Sequence, residues 1–192
     1  MSEKALQRVA EKFPDAIVHG YAQHGDETLV VKRESLVDVM RFCHDDPELE
    51  LKMPSSLTCV DYIDEKPRFE LVYSLYSITL KHRLRIKVRV GEDDPTVPSV
   101  ISVYRGMNFW ERYCWDMYGI RFTDREADMK RLWLYEEFEG HPLRKDYPLR
   151  GRQGLIPELD VRDITRGPGP GPGSGPAARA AVARPSQLPI LK

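Results

Sequence analysis

Cysteine is scarce and scattered in this sequence. Cys43, Cys59 and Cys114 are odd in number and never closer than 16 positions. That excludes a disulfide framework and the close local spacing of zinc or iron–sulfur ligands. Cys43-His44 is adjacent, but helical neighbours point about 100° apart, so the cysteines read as buried structural residues of a reducing, cytoplasmic setting. The five histidines (19, 24, 44, 82 and 141) show no ligand or catalytic spacing. There is no Gly-x-Ser-x-Gly elbow. No apolar run approaches the ~20 residues of a membrane-spanning helix. Charge of either sign is nearly balanced, at a net −1, so no bulk attraction to nucleic acid or anionic lipid is expected. Met1-Ser2-Glu3-Lys4 leads into a charged pattern without the apolar core of a signal peptide. No enzyme mechanism can be assembled from these residues by spacing alone.

What is present is an alternation of helix and strand patterns. Leu6, Val9, Ala10 and Phe13 share one helix face and Pro14 stops the run; Leu36, Val39, Met40 and Cys43 repeat the spacing before Pro47. Strands are expected near Ala16–Tyr21 and Thr28–Lys32, with Gly25-Asp26 as the turn, and again at Leu57–Ile63. Phe69, Leu71, Tyr73 and Leu75 alternate at period two. So do Leu84, Ile86, Val88 and Val90, interleaved with Lys81, Arg83, Arg85, Lys87 and Arg89. One apolar and one basic face imply helices on one side only. The expected fold class is α+β, a two-layer domain with helices packed on one face of a mixed five-stranded sheet.

A third helix is expected from Asn108, as N-cap with Glu111 in a capping box, to Gly119 in a left-handed conformation. Its apolar face would be Trp110, Tyr113, Cys114, Met117 and Tyr118. The domain is expected to span 1–150, followed by an extended low-complexity segment, 151–192, containing Gly-Pro-Gly-Pro-Gly-Pro-Gly-Ser-Gly-Pro at 167–176. Proline removes alternate N–H donors there, which excludes a phosphate loop.

Two features call for a role. The basic stripe, 81–89, reads as a solvated strand face that discourages edge-to-edge pairing, or as a contact for an acidic protein or RNA. The segment 136–150 begins Glu-Glu-Phe-Glu-Gly-His-Pro-Leu-Arg-Lys-Asp-Tyr-Pro and lacks regular structure, as functional loops often do.

That segment and the helix before it carry a resemblance. Glu111-Arg112-Tyr113-Cys114-Trp115-Asp116-Met117-Tyr118-Gly119-Ile120-Arg121-Phe122 resembles the signature of the C subunit, the 30-kDa-type subunit, of respiratory NADH–quinone oxidoreductase (complex I). Gly140-His141-Pro142-Leu143-Arg144-Lys145-Asp146-Tyr147-Pro148-Leu149 is similar to the family's most distinctive stretch. The chain departs from the pattern at Tyr113, where the family has Glu, and at Thr123–Ala127, which replaces a Gly-His-Pro stretch. The resemblance implies a structural subunit of the peripheral arm on the cytoplasmic side of a bacterial inner membrane, with no membrane span. It implies no catalytic, cofactor or metal residue in this chain, the FMN and iron–sulfur clusters lying in partner subunits. Its implied partners are other peripheral-arm subunits, above all the 49-kDa-type subunit and the one carrying the terminal iron–sulfur cluster; no nucleic acid is among them. Subunit contacts are expected at Glu111, Arg112 and Asp116 on the helix. In the docking loop they are expected at His141, Pro142, Arg144, Lys145, Asp146 and Tyr147, with Arg144 buried against the partner. A homologous subunit of a membrane-bound hydrogenase or related dehydrogenase is the nearest alternative. A free-standing protein- or RNA-binding module using the basic strand is the alternative of a different class.

Overall fold

The computed structural model describes residues 4–125 and 129–150. The chain divides into two units, Met1–Tyr147 and Pro148–Lys192. Pro148, Leu149 and Arg150 of the second are exposed; the expected low-complexity segment, 151–192, lies outside the described residues.

Helix α1 (Lys4–Lys12) buries Ala5 and Val9, four apart on one face. Strands β1 (Ile17–Gln23) and β2 (Asp26–Val31) form a hairpin in which Gln23 faces Asp26. Its two-residue turn is His24-Gly25, both at positive φ (52° and 88°), as a twisted hairpin requires. The turn therefore lies one residue before the expected Gly25-Asp26. A 3-10 turn (Arg33–Ser35) leads into α2 (Leu36–Asp45), which buries Leu36, Val39, Met40 and Cys43. Asp46 is extended ahead of Pro47, where the ring forbids helical backbone.

Strands β3 (Met53–Asp61), β4 (Phe69–Tyr76) and β5 (Arg83–Val90) complete a sheet ordered β1-β2-β5-β4-β3. β2 and β5 are parallel and the other pairs antiparallel, which makes it the mixed five-stranded sheet expected. In register, Phe69 faces Val90, Leu71 faces Val88, Tyr73 faces Ile86 and Leu75 faces Leu84, all buried. Each such side chain contributes about 1.5–3 kcal/mol on leaving water, and together they make the core.

Strand β6 (Thr96–Pro98), helix α3 (Met107–Tyr118) and strand β7 (Arg121–Thr123) follow, with β6 and β7 paired in parallel. This small sheet was not expected, because three-residue strands leave no readable period. α3 packs on β3. It starts one residue before Asn108, with Gly106 at the N-cap and no side-chain cap. The preceding turn supplies acceptors instead: Met107 N–H donates to Tyr104 and Asn108 N–H to Arg105. The buried face is also rotated from the expected one. Met107, Glu111, Cys114, Asp116 and Met117 are buried, while Trp110 is exposed.

The basic stripe is corrected in two respects. Lys81 lies outside the strand at φ 54°, and β5 is the central strand, with no edge to protect. Two of its charges are met by neighbouring carboxylates. Lys87 Nζ and Arg89 Nε reach Glu70 at 2.8 and 3.0 Å, and Arg89 also reaches Glu65 at 2.8 Å. Burial would push Glu70 up, but Lys87 and Arg89 overcome that and hold it below the ordinary carboxylate value. Lys87 and Arg89 of the stripe are thus neutralised by neighbouring carboxylates.

Candidate functional site

An α-helix leaves its last four carbonyls without partners. In α3 these belong to Trp115, Asp116, Met117 and Tyr118, and all four are met. Gly119 N–H donates to Trp115 O at 2.8 Å. His141 Nδ1 lies 3.0 Å from Asp116 O, Leu143 N–H donates to Met117 O at 3.1 Å, and Arg144 Nε donates to Tyr118 O at 2.6 Å. The His141–Arg144 stretch is thus the C-terminal cap of α3. Gly119 makes this close approach workable: its φ is 76°, and an added Cβ would lie 2.5 Å from His141 Nε2 and 2.7 Å from Arg144 Nη2.

A second anchor is Asp116, 0% exposed. Oδ2 accepts three consecutive N–H groups, of Leu132, Trp133 and Leu134, at 3.1, 2.8 and 3.2 Å. Oδ1 meets Arg131 Nη1 at 3.0 Å. Arg131 also donates to Phe138 O at 2.6 Å and lies over the Trp115 and Phe138 rings. Burial alone would push Asp116 up; the Trp133 N–H, the Arg131 guanidinium and the Leu132 and Leu134 N–H groups hold it below the ordinary carboxylate value.

The third anchor joins loop to sheet. Asp61 ends β3 at an inward position after Leu57 and Cys59. Its side chain is 1% exposed and that of Arg68 is 7% exposed. Arg68 grips it through Nε at 2.7 Å and Nη2 at 2.9 Å, the parallel fork that suits a carboxylate. Arg68 also meets Glu92 at 2.6 Å and Asp146 at 3.2 Å, and Lys145 N–H donates to Asp61 Oδ2 at 2.7 Å. Arg68 therefore titrates above, and Asp61 below, its ordinary value, each chiefly because of the other. Arg144 and Arg68 both lie over the Phe69 ring, at 5.0 and 5.1 Å.

Glu111 performs a similar task at the other end of α3. It accepts Val100 N–H, Ser99 Oγ and Arg125 Nη1 at 2.9, 2.8 and 3.1 Å. Burial raises it all the same, against those three partners.

The structure thus brings the expected residues into one assembly, but turns several of them inward. Glu111 and Asp116 are fully buried, so the contact surface expected at these two positions is replaced by an internal role. The physical reason is that each carboxylate is satisfied within the chain, Glu111 by Val100 N–H, Ser99 and Arg125, and Asp116 by the 132–134 N–H groups and Arg131. Arg112, His141, Pro142, Arg144 and Tyr147 are half-buried; Lys145 and Asp146 are exposed. Tyr147 stacks on Phe138 with centroids 6.0 Å apart. Asp61, Arg68 and Arg131 were not anticipated. A charge in the inward register of β3, two residues after Cys59, was the available signal for Asp61.

The three cysteines are buried and free, and burial pushes the thiols of Cys43 and Cys59 up to about 12. Among the described residues, no group of three or more His, Cys, Asp or Glu is placed to hold a metal ion, and no helix is long and apolar enough to cross a membrane.

His141 adds a pH dependence. Burial lowers it below the ordinary 6.5, with Arg144 and Arg131 adding to the shift and the Asp116 carbonyl opposing it. Its surroundings are those groups and the Asp116 carboxylate. The unfolded chain therefore binds the proton first, so stability is full above about 6.5 and lost as pH falls toward the depressed folded value. Thermal melts of the full chain from pH 7.5 to 5 should show this slope, and His141→Asn, which keeps an N–H donor, should flatten it. An equal slope in the variant would assign the effect elsewhere.

The two-layer α+β fold has counterparts among solved structures. The fold matches Nqo5, in its trypsin-resistant fragment 1–134, with a TM-score of 0.55 and 24% identity, covering 67% of this chain and 99% of the fragment. It also matches a chain in the membrane-bound sulfane sulfur reductase, an archaeal respiratory membrane complex, with a TM-score of 0.64 and 25% identity over 77% of this chain and 86% of that one.

The family model for the respiratory-chain NADH dehydrogenase 30-kDa subunit matches residues 29–153, and the chain belongs to that family. It is 41% identical over 179 residues to the NADH-quinone oxidoreductase C subunit 2 of Rhizobium etli (strain CIAT 652), covering 86% of this chain and 95% of that protein. It is 44% identical over 144 residues to the NADH-quinone oxidoreductase C subunit of Roseiflexus sp. (strain RS-1), covering 75% and 82%.

Proposed function

We propose that this chain is a structural, non-catalytic subunit of the peripheral arm of NADH–quinone oxidoreductase. It carries no flavin, iron–sulfur cluster or quinone site of its own. It holds neighbouring subunits, the 49-kDa-type and the terminal-cluster subunit among them, so that electrons pass from NADH through FMN and clusters to quinone, coupled to proton translocation. It sits at the cytoplasmic face of a bacterial inner membrane. One observation supports this most: the His141 and Arg144 side chains of the distinctive motif cap α3, while its Asp146 carboxylate and Lys145 N–H hold Arg68 and Asp61. A histidine and arginines bound to helix carbonyls and buried carboxylates position a surface; they do not turn over a substrate.

Arg144→Ala tests the reading. It removes one charged hydrogen bond to Tyr118 O and the contact with Phe69, a loss of about 1.5–3 kcal/mol. The expected result is fewer assembled complexes on a native gel, each with near-normal NADH–quinone turnover. Normal assembly with turnover collapsed in each complex would show that the loop acts in the reaction itself.

A further inference from the structure

With so many polar groups of 131–147 turned inward, the apolar groups left outside become informative. Trp133 is 72% exposed although its own N–H is fixed on Asp116, and Phe109 is 60% exposed. Residues 109, 112 and 116 of α3 are spaced three and four apart and share a helix face. Arg112 donates from Nε and Nη2 to the carbonyls of Lys130 and Arg131 at 3.2 and 3.0 Å. The run 130–133 is therefore laid along that face. Phe109 lies roughly 10 Å along the helix from Asp116, on which the Trp133 N–H rests. Between them lie Arg112, half-buried, and Lys130, exposed; among the described residues neither has a carboxylate within ion-pair distance.

A mobile loop that docks a tryptophan loses much of the gain to ordering. Here Asp116 and Arg112 have already fixed the backbone beneath the ring, which is the preorganisation that favours tight contact. Exposed aromatics around an arginine are also the composition of interface hot spots. We infer that the face formed by Phe109, Arg112, Lys130 and Trp133 docks a partner protein offering apolar sockets for the two rings and a carboxylate between them. This rests on the reading of the chain as a subunit. Charge decides between occupants. A basic partner would be repelled by Arg112 and Lys130, and a symmetric contact with a second copy would bring the same cations face to face.

Hydroxyl-radical footprinting of the full chain, alone and within the assembled membrane complex, reads this directly. Trp133 and Phe109 should oxidise readily in the free chain and lose most of that labelling in the complex. If the chain does not travel with the complex, the subunit reading fails. If it does and both rings still label as in the free chain, the docking face is wrong and the subunit reading stands. Trp133→Ala should weaken association about 30-fold, the size of a hot-spot truncation, without changing the melting temperature of the full chain. Should the melting temperature fall, the footprint of the unaltered chain decides. Lys130→Glu should weaken association and reduce its salt dependence; equal or tighter association would overturn the acidic partner. A concentration-dependent dimer of the free chain that Trp133→Ala abolishes would make the occupant a second copy and overturn the proposal.

Discussion

Replacing Asp116 by Ala should release the stretch 131–138 from α3 while the five-stranded sheet stays folded. The carboxylate accepts three backbone N–H groups and the Arg131 guanidinium with no exposure to solvent. Removing one partner of such a buried charge costs about 3–5 kcal/mol if its neighbours stay in place. They need not stay, because Trp133 and Leu143 are exposed and the aromatic contacts of Tyr135, Phe138 and Tyr147 lie mostly within the segment. Undocking lets the freed N–H groups reach water, so local opening is the cheaper outcome. The full chain should melt only a few degrees lower, while proteolysis between 131 and 138 should become fast. Asp116→Asn keeps one acceptor oxygen and should fall between the two. If cutting is no faster in Asp116→Ala, the remaining anchors at Leu143, Arg144 and Lys145 hold the segment without that carboxylate.

Arg68→Met should behave in the opposite way and weaken the whole domain. Asp61 ends β3 and Arg68 directly precedes β4, so neither can leave without opening the sheet. Without the guanidinium, the nearly inaccessible Asp61 keeps only the Lys145 N–H. The expected loss is about 3–5 kcal/mol at neutral pH. For a chain of this length that is on the order of 10 °C in melting temperature. The pH dependence carries the signature. In the unaltered chain Asp61 is held below the ordinary carboxylate value, so its stabilisation is present above that value and lost as pH falls. In the variant the largest influence lowering Asp61 is gone, so the gap to the unaltered chain should narrow as pH falls below the ordinary carboxylate value. Asp61→Leu with Arg68→Met replaces both partners by apolar groups and should recover part of the loss. A double variant no more stable than Arg68→Met alone would show that the pair is not the source.

The contrast between these variants mirrors how legible each region was from its residues. Strand alternation at Phe69–Leu75 and Leu84–Val90, and the helix spacing from Leu36 to Cys43, were legible because burial there is set by apolar area. Gly119 was legible because a left-handed helix end demands that residue. Glu111 and Asp116 were misplaced for the complementary reason. Hydropathy puts a carboxylate outside, and only the fold shows that Val100 or Trp133 brings an N–H to it. The segment from His141 to Tyr147 was legible as important and illegible in its role, since its partners on α3 and at Asp61 lie up to 84 positions away. Neutralisation of Lys87 and Arg89 was hidden likewise, because it depends on β4 bringing Glu70 beside β5.

For function, the consequence is that the contacts shaping the distinctive loop lie within this chain. Hydrogen exchange of the free, full-length chain tests that most directly. The amides of Leu132, Trp133, Leu134, Leu143 and Lys145, all bound within the chain, should exchange far more slowly than unstructured peptide and approach the sheet amides in protection. Exchange of these five at unstructured rates, beside a protected sheet, would contradict the brace and mean that a partner organises the loop.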